Sequence, residues 1–197
     1  MFHHFKRLFK SLGIYGLGDA ATSLLNFLLL PVYTRYLTPA EYGVIALLVV
    51  LEAVVKILFR WGVDSAFMRL YYDCSDDRSR QSLTSTIFFF MLALNGVLVL
   101  IASGSAPWLS GWLFGTADQA NILRLAFLNI FLISFFFLPY SVLRIREQPK
   151  PVVALAFFRS ATVLVTRLVL VIGVGLGVLG VVLADLLVSV VFVVVSS

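Results

Sequence analysis

The segment YGVIALLVVLEAVVKILFRW, residues 42–61, is apolar over a length that crosses a membrane, yet it carries Glu52, Lys56 and Arg60. A helix of about 20 apolar residues spans the hydrocarbon core of a bilayer. A charge near the bilayer centre costs about 3 kcal/mol or more, so it is retained where it faces protein, water or an opposite charge. The segment therefore predicts a membrane helix whose charges have a functional or a pairing role.

Similar apolar runs recur along the whole chain of 197 residues, of which 61% are hydrophobic and 13% are charged. A soluble surface cannot cover this much apolar sequence. We predict an all-α polytopic membrane protein with about six spans: Leu12–Leu37, Tyr42–Trp61, Leu83–Gly104, Ile122–Leu143, Val152–Gly173 and Val178–Val195. The glycine-rich residues 173–180 predict the turn between the last two spans, and without that turn the chain has five.

Basic residues concentrate in segments 1–11, 69–82 and 144–151, whereas segments 38–41, 105–121 and 174–177 contain none. Membrane loops rich in Lys and Arg stay on the cytoplasmic side, so the N-terminus is predicted to be cytoplasmic. Aromatic residues at the proposed membrane surfaces, Tyr33 among them, agree with this topology. Because the basic residues follow the loops, they do not indicate a nucleic-acid partner.

The charges of the second span continue into the next turn and recur every four residues, at Glu52, Lys56, Arg60 and Asp64. Such spacing places them on one stripe of a helix, with opposite charges one turn apart. In the first span, Asp19 lies at about the same depth as Lys56. Equal depth permits a contact of Asp19 with Lys56 or Arg60, and Glu52–Lys56 is alternatively a neutralising structural pair.

The fifth span carries two arginines and no acid. Arg159 and Arg167 are eight residues apart, which places them about 80° apart around a helix and allows them to share one broad face. A bound anion is one candidate for their counter-charge. Asp185, near the middle of the sixth span, is either a titrating carboxylate or the partner of one of these arginines.

The polar residues do not form a catalytic pattern. Ser, Asp and His side chains do not converge, and Cys74 has neither a disulfide partner nor a Cys/His spacing typical of a metal site. The loops are too short to hold a soluble catalytic domain, which needs about 50 residues or more. We therefore expect a protein that is not an enzyme and that uses no cofactor or metal.

Several stretches together resemble the N-terminal half of the polysaccharide biosynthesis or oligosaccharide flippase family, within the multidrug/oligosaccharidyl-lipid/polysaccharide exporter superfamily. The resemblance is carried by LLLPVYTRYLTPAEYGVIAL (28–47), FRWGVDSAFMRLYYD (59–73), STIFFF (85–90), LPYSVLRIREQPKP (138–151) and GVGLGVLGVVLADLL (173–187). These stretches follow the family's order over nearly the whole chain.

The resemblance implies an exporter-type fold of two six-helix lobes around a central cavity. It also implies a bacterial inner-membrane flippase that moves lipid-linked oligosaccharide from the cytoplasmic to the outer leaflet. A diphosphate head group requires positive charge inside the membrane. The candidate cavity residues are Lys56, Arg60, Arg159 and Arg167, and the candidate pairing or ion-coupling residues are Asp19, Glu52 and Asp185.

The chain is less than half the length usual in that family, so we expect it to correspond to the first lobe, with the second lobe absent. Such a lobe would pair with a second chain or with itself, or it is a fragment of a longer protein. Two other functions remain open from the sequence. A multidrug/ion antiporter of the same superfamily would have mainly acidic residues in its cavity. A non-transporting membrane scaffold subunit would have charges that pair internally.

Overall fold

The computed structural model describes residues 2–145 and 149–196, which form eight α-helices and contain no strand. This confirms the all-α fold class. The helices are α1 (Phe2–Tyr36), α2 (Pro39–Arg60), α3 (Val63–Asp73), α4 (Asp77–Phe114), α5 (Ala120–Ser134), α6 (Phe137–Ile145), α7 (Pro149–Leu168) and α8 (Gly177–Ser196). A π-helical turn, Val169–Gly173, extends α7.

Helix α2 begins and ends at well-defined backbone signals. The Thr38 hydroxyl accepts a hydrogen bond from the Glu41 amide, and the Glu41 carboxylate accepts one from the Thr38 amide, so the two residues form a capping box. At the other end, Trp61 and Gly62 both adopt positive φ angles, of 49° and 68°. This left-handed pair stops the helix, and the chain restarts as the short helix α3.

Helix α4 extends beyond the predicted span, because residues 105–114, expected to lie in a loop, are helical. Pro107 in this part has no N–H to donate to the Ser103 carbonyl one turn earlier. That carbonyl instead accepts a hydrogen bond from Arg124 Nε at 3.3 Å. The side chain on α5 therefore satisfies the acceptor that the proline leaves free, and the helix continues to Gly115, whose φ of 73° ends it.

The predicted fourth span is divided into α5 and α6 by a short break at Phe135 and Phe136. The residue at position 139 is a proline and cannot donate to the carbonyl of Phe135. That carbonyl accepts from the Leu138 amide instead, at 3.3 Å, in a tighter turn. The proline thus accounts for the break through the backbone hydrogen bond that it cannot form.

Side-chain contacts show the directions in which neighbouring helices run. Between α4 and α5, Asn95 contacts Ser134 and Ser103 contacts Arg124, so these helices are antiparallel. Helix α2 begins beside the start of α8, where the Glu41 carboxylate lies against the backbone of Gly177. Helices α2 and α8 therefore start at the same end of the bundle.

Helix α1 packs mainly along α7 and runs in the same direction, since Gly18 lies against Val153 and Tyr33 contacts Arg167. After residues 174–176 the chain reverses, and α8 returns along α7. Gly180 allows a close approach here: a Cβ at this position would lie 3.2 Å from the backbone of Leu170. The last two predicted spans are therefore separate helices that form a hairpin.

Four helical segments in the described part of the chain are long and apolar enough to span a membrane: Pro39–Asp73, Asp77–Phe114, Lys150–Gly173 and Gly177–Val194. The other two predicted spans lie in α1 and in the α5–α6 pair, of which α5 is a shorter apolar helix. Many large apolar side chains on these helices face outward, as lipid contact requires. The chain is a polytopic α-helical membrane protein.

The bundle has two ends that differ in their connections. The short-loop end contains residues 37–38, 115–119 and 174–176; the α3 end contains residues 61–77 and the start of α7. The main core lies among α1, α2, α4, α5 and α8. A second cluster at the α3 end consists of Phe67, Met91, Phe137 and Leu138, and it anchors α3 to the bundle.

Candidate functional site

The charges of α2 pair along their own helix. Lys56 Nζ lies 2.9 Å from Glu52 Oε2, and Arg60 Nη1 lies 3.3 Å from Asp64 Oδ2. Asp64 begins the short helix α3, so the second pair bridges the break at Trp61. Both cations of the predicted stripe therefore have a carboxylate partner one turn away.

Asp19 is exposed on α1 and forms no hydrogen bond or ion pair with the described residues. The contact with Lys56 or Arg60 that equal depth permits is not formed. The reason is packing: α1 follows α7 along most of its described length and meets α2 only weakly. Depth in the membrane is a property of each helix separately, whereas a contact also requires the two helices to be neighbours.

Arg167 and Asp185 form a two-point ion pair between α7 and α8. Arg167 Nε donates to Asp185 Oδ1 at 2.8 Å, and Arg167 Nη2 donates to Asp185 Oδ2 at 2.6 Å. The remaining terminal nitrogen, Nη1, donates to the Tyr33 hydroxyl at 3.0 Å. All three nitrogens of the guanidinium are thus engaged, and the cluster joins α1, α7 and α8. The sequence allows Asp185 to be a titrating carboxylate or the partner of an arginine, and its contacts are those of a partner for Arg167.

Tyr33, which the sequence predicts near a membrane surface, is buried within the bundle, with only 8% of the residue exposed. Tyrosine pairs an apolar ring with a polar tip, so it suits a membrane surface and a buried polar contact equally well. Only the packing of α1 on α7 distinguishes the two environments.

Arg159 differs from the other three predicted cavity cations because no carboxylate of the described residues contacts it. Its Nη2 donates to the Ser189 hydroxyl at 3.4 Å, and Ser189 in turn donates to Asn129 Oδ1 at 2.7 Å. The guanidinium carbon lies 5.3 Å from the centre of the Phe136 ring. The Nε atom is buried and has no hydrogen-bond partner. The result is a half-buried cation held by neutral groups.

The nearest carboxylates act on Arg159 only from a distance. Asp185 and Glu52 both attract it electrostatically, but each is bound to another cation, Arg167 and Lys56 respectively. A charge inside a bundle attracts a counter-ion more strongly than one in water, because the local dielectric constant is lower. An anionic ligand that reaches Arg159 would therefore meet a charge that no contacting carboxylate of the described residues compensates.

Uncharged polar side chains extend this region and were not predicted from the sequence. Asn129 and Ser189 are almost completely buried, as is Asn95, whose Nδ2 donates to Ser134 Oγ at 3.2 Å. Asn95 Oδ1 is buried without a partner. The available signal is an asparagine in an otherwise apolar helix, which is costly unless its amide is hydrogen-bonded.

The fold and these contacts are those of a polytopic helical membrane protein with ion pairs inside its bundle and with a cation, Arg159, that contacts no carboxylate among the described residues. The family model described as "polysaccharide biosynthesis protein" matches residues 32–197. The chain belongs to that family, as its sequence resemblance predicted. Comparison with curated proteins and with solved structures gives no match for either.

Proposed function

We propose that this protein takes part in moving a lipid-linked oligosaccharide from the cytoplasmic to the outer leaflet of a bacterial inner membrane, with its N-terminus in the cytoplasm. It does so without covalent chemistry. The observation that carries this proposal is Arg159, a cation inside the helical bundle with a buried, unpartnered Nε and no carboxylate in contact. Membership of a polysaccharide biosynthesis family supports a substrate from that pathway.

A diphosphate-linked glycan lipid brings two requirements into the membrane. Its head group needs positive charge, and its phosphate oxygens need directed donors. An arginine supplies both, because its guanidinium stays charged and presents donors in a planar fork. In this chain Ser189 and Phe136 fix the position of the guanidinium of Arg159 without neutralising it.

The three other predicted cavity cations enter the proposal in a different role. Lys56, Arg60 and Arg167 are held by Glu52, Asp64 and Asp185, respectively. A head group that passes along the bundle would compete with these carboxylates. A cation that binds Glu52 or Asp185 would release the side chain of Lys56 or Arg167, respectively. Asp19, exposed on α1, is available to a partner outside the described contacts.

A complete transport pathway requires a second wall opposite this bundle. We propose that a second lobe, or a second copy of this chain in a homodimer, supplies it, with membrane lipid filling the remaining surface. Large apolar side chains on α2 and α4, such as Val50, Ile57 and Leu100, are exposed on the single chain and are available for such packing.

Binding of a head group tests the proposal directly. The purified chain is titrated with polyprenyl diphosphate and, separately, with the polyprenol that has the same tail and no charge. We expect Arg159→Gln to weaken diphosphate binding by about tenfold or more and to leave polyprenol binding unchanged. Arg35→Gln is the matched control, because Arg35 is an exposed arginine at the end of α1.

Export of surface polysaccharide tests the function itself. The chain is expressed alone and joined to the second lobe of a family member, in a strain that lacks its own flippase. Restored export that is lost on Arg159→Gln but kept on Arg35→Gln supports the proposal. Unchanged export in Arg159→Gln contradicts it. If Arg159→Gln and Arg35→Gln bind the diphosphate equally well, the scaffold function is favoured. The observation that supports a scaffold is the three ion pairs within the chain.

A further inference from the structure

Two adjoining depressions follow one side of α4 from the α3 end into the bundle. The first has a volume of about 540 Å³ and the second about 630 Å³. They adjoin at Thr84 and Ser85, which line both, and together we call them the α4 groove.

The α4 groove changes character along its length. Its first part has polar lining residues, among them Asp77, Arg80 and Gln81. Beyond Ser85 the lining is apolar and mainly aromatic, with phenylalanines from α4 and α5 and from the break that follows α5. The stretch of α4 from Ser85 to Leu92 rises about 10 Å, which fits within the roughly 15 Å of hydrocarbon in one leaflet.

Arg80 at the polar part is only partly satisfied by the protein. Its Nη1 lies 3.2 Å from Asp77 Oδ1, its Nη2 donates to the Cys74 carbonyl at 3.3 Å, and its guanidinium lies over the Tyr71 ring. Its Nε is buried and has no hydrogen-bond partner. Asp77 itself is 92% exposed, so the ion pair lies at the surface and is weak.

We propose that the α4 groove binds an anionic glycerophospholipid of the surrounding membrane. The phosphate would lie at Arg80, where it competes with the exposed Asp77 carboxylate, and one acyl chain would lie along the aromatic part. Two observations support the inference. The Arg80 guanidinium has a carboxylate partner that is almost fully exposed, and it lies at the polar end of a groove whose other end is apolar.

The α4 groove is distinct from the position of Arg159. Phe136 lines the groove, and the guanidinium of Arg159 lies over the same ring. Arg159 itself is not among the lining residues of the groove. The lipid proposal does not depend on the transport proposal, and the variants that test them are different.

The test measures lipid retained by the purified chain. The protein is reconstituted in an equimolar mixture of phosphatidylglycerol and phosphatidylcholine with identical acyl chains. The lipid that stays bound is then counted by native mass spectrometry. We expect phosphatidylglycerol to be retained preferentially and Arg80→Gln to reduce that retention severalfold. Arg78→Gln is the matched control, since Arg78 is exposed and does not line the α4 groove. Equal retention of the two lipids, or equal loss in both variants, would overturn the proposal.

Two further variants keep the test independent of any folding defect in Arg80→Gln. Asp77→Asn removes the competing carboxylate, so phosphatidylglycerol retention should increase. Ser85→Phe fills the point that the two depressions share and should reduce retention, while Thr86→Phe, exposed and outside the lining, should not. Preferential retention of polyprenyl diphosphate over phosphatidylglycerol at Arg80 would also overturn the assignment to a membrane phospholipid.

Discussion

Arg159 and Arg167 lie eight residues apart on α7, yet only Arg167 contacts a carboxylate. Asp185 binds Arg167 through both of its oxygens, while Arg159 contacts the Ser189 hydroxyl and the Phe136 ring. An ion pair with both partners engaged stabilises the bundle in one arrangement, whereas a cation without a carboxylate is available to a ligand. The two arginines therefore have different expected responses to mutation.

Replacement of Asp185 by Asn is expected to destabilise the fold. It leaves Arg167 without its counter-charge between α7 and α8, which costs about 3–5 kcal/mol when one partner of a buried pair is removed. Denaturation in detergent measures the loss. Asp64→Asn is the control, because the Arg60–Asp64 side chains are 59% and 35% exposed and such a pair contributes about 1 kcal/mol or less. Equal losses in the two variants would contradict the structure.

Tyr33→Phe should lower stability by a smaller amount. It keeps the buried ring and removes only the hydroxyl that accepts from Arg167 Nη1. A hydrogen bond to a charged group contributes about 1.5–3 kcal/mol, so the loss should be smaller than that of Asp185→Asn. Tyr36→Phe is the control, since Tyr36 is exposed on the same helix. An equal loss of stability in Tyr36→Phe would contradict the assignment of the effect to the Tyr33–Arg167 hydrogen bond.

Gly177→Ala is expected to destabilise the start of α8 for two reasons. The residue has a φ of +54°, and a Cβ there would meet the Glu41 carboxylate, which the capping box holds in place. The expected loss is about 1 kcal/mol or more. Gly43→Ala on α2 has open space and a helical backbone, so it should stabilise by about 0.5–1 kcal/mol. Thermal denaturation should show that Gly177→Ala lowers the stability of the protein and that Gly43→Ala raises it.

The start of α4 should become less stable in acid. Hydrogen bonds from the Ser79 side chain and amide lower the pKa of the Asp76 carboxyl below its ordinary value. A lowered pKa in the folded state means that the carboxylate stabilises the fold above the ordinary pKa of about 3.9, and that this contribution is lost as pH falls through the lower value. Hydrogen exchange at the first turn of α4 should therefore accelerate in that range.

Asp76→Asn is the matching variant for this effect. The amide oxygen of asparagine still caps the helix but does not titrate over this pH range. Exchange at the Ser79 amide should then be independent of pH below about 4, after correction for intrinsic exchange. A persistent acid-induced acceleration in the variant would assign the effect to another group.

Local sequence patterns predicted most of the secondary structure. Each predicted span is mainly helical, the fourth being interrupted at Phe135 and Phe136, and the glycine-rich turn before α8 is where the sequence indicates. Two boundaries differed because of proline. Pro107 is tolerated in α4, since Arg124 satisfies the freed carbonyl, while the proline at position 139 produces a break. Whether a proline interrupts a helix depends on a partner that the local sequence does not identify.

The sequence by itself determined that this chain is an α-helical membrane protein of the polysaccharide biosynthesis family, because length, hydropathy and local motifs are read along the chain. It also predicted which charges lie within the membrane. Only the tertiary structure decided their partners: among the described residues, Asp185 binds Arg167, Arg159 contacts no carboxylate, and Asp19 does not contact Lys56. The physical reason is that an ion pair requires two helices to be adjacent at one depth and one rotation, and adjacency is set by the packing of the whole bundle.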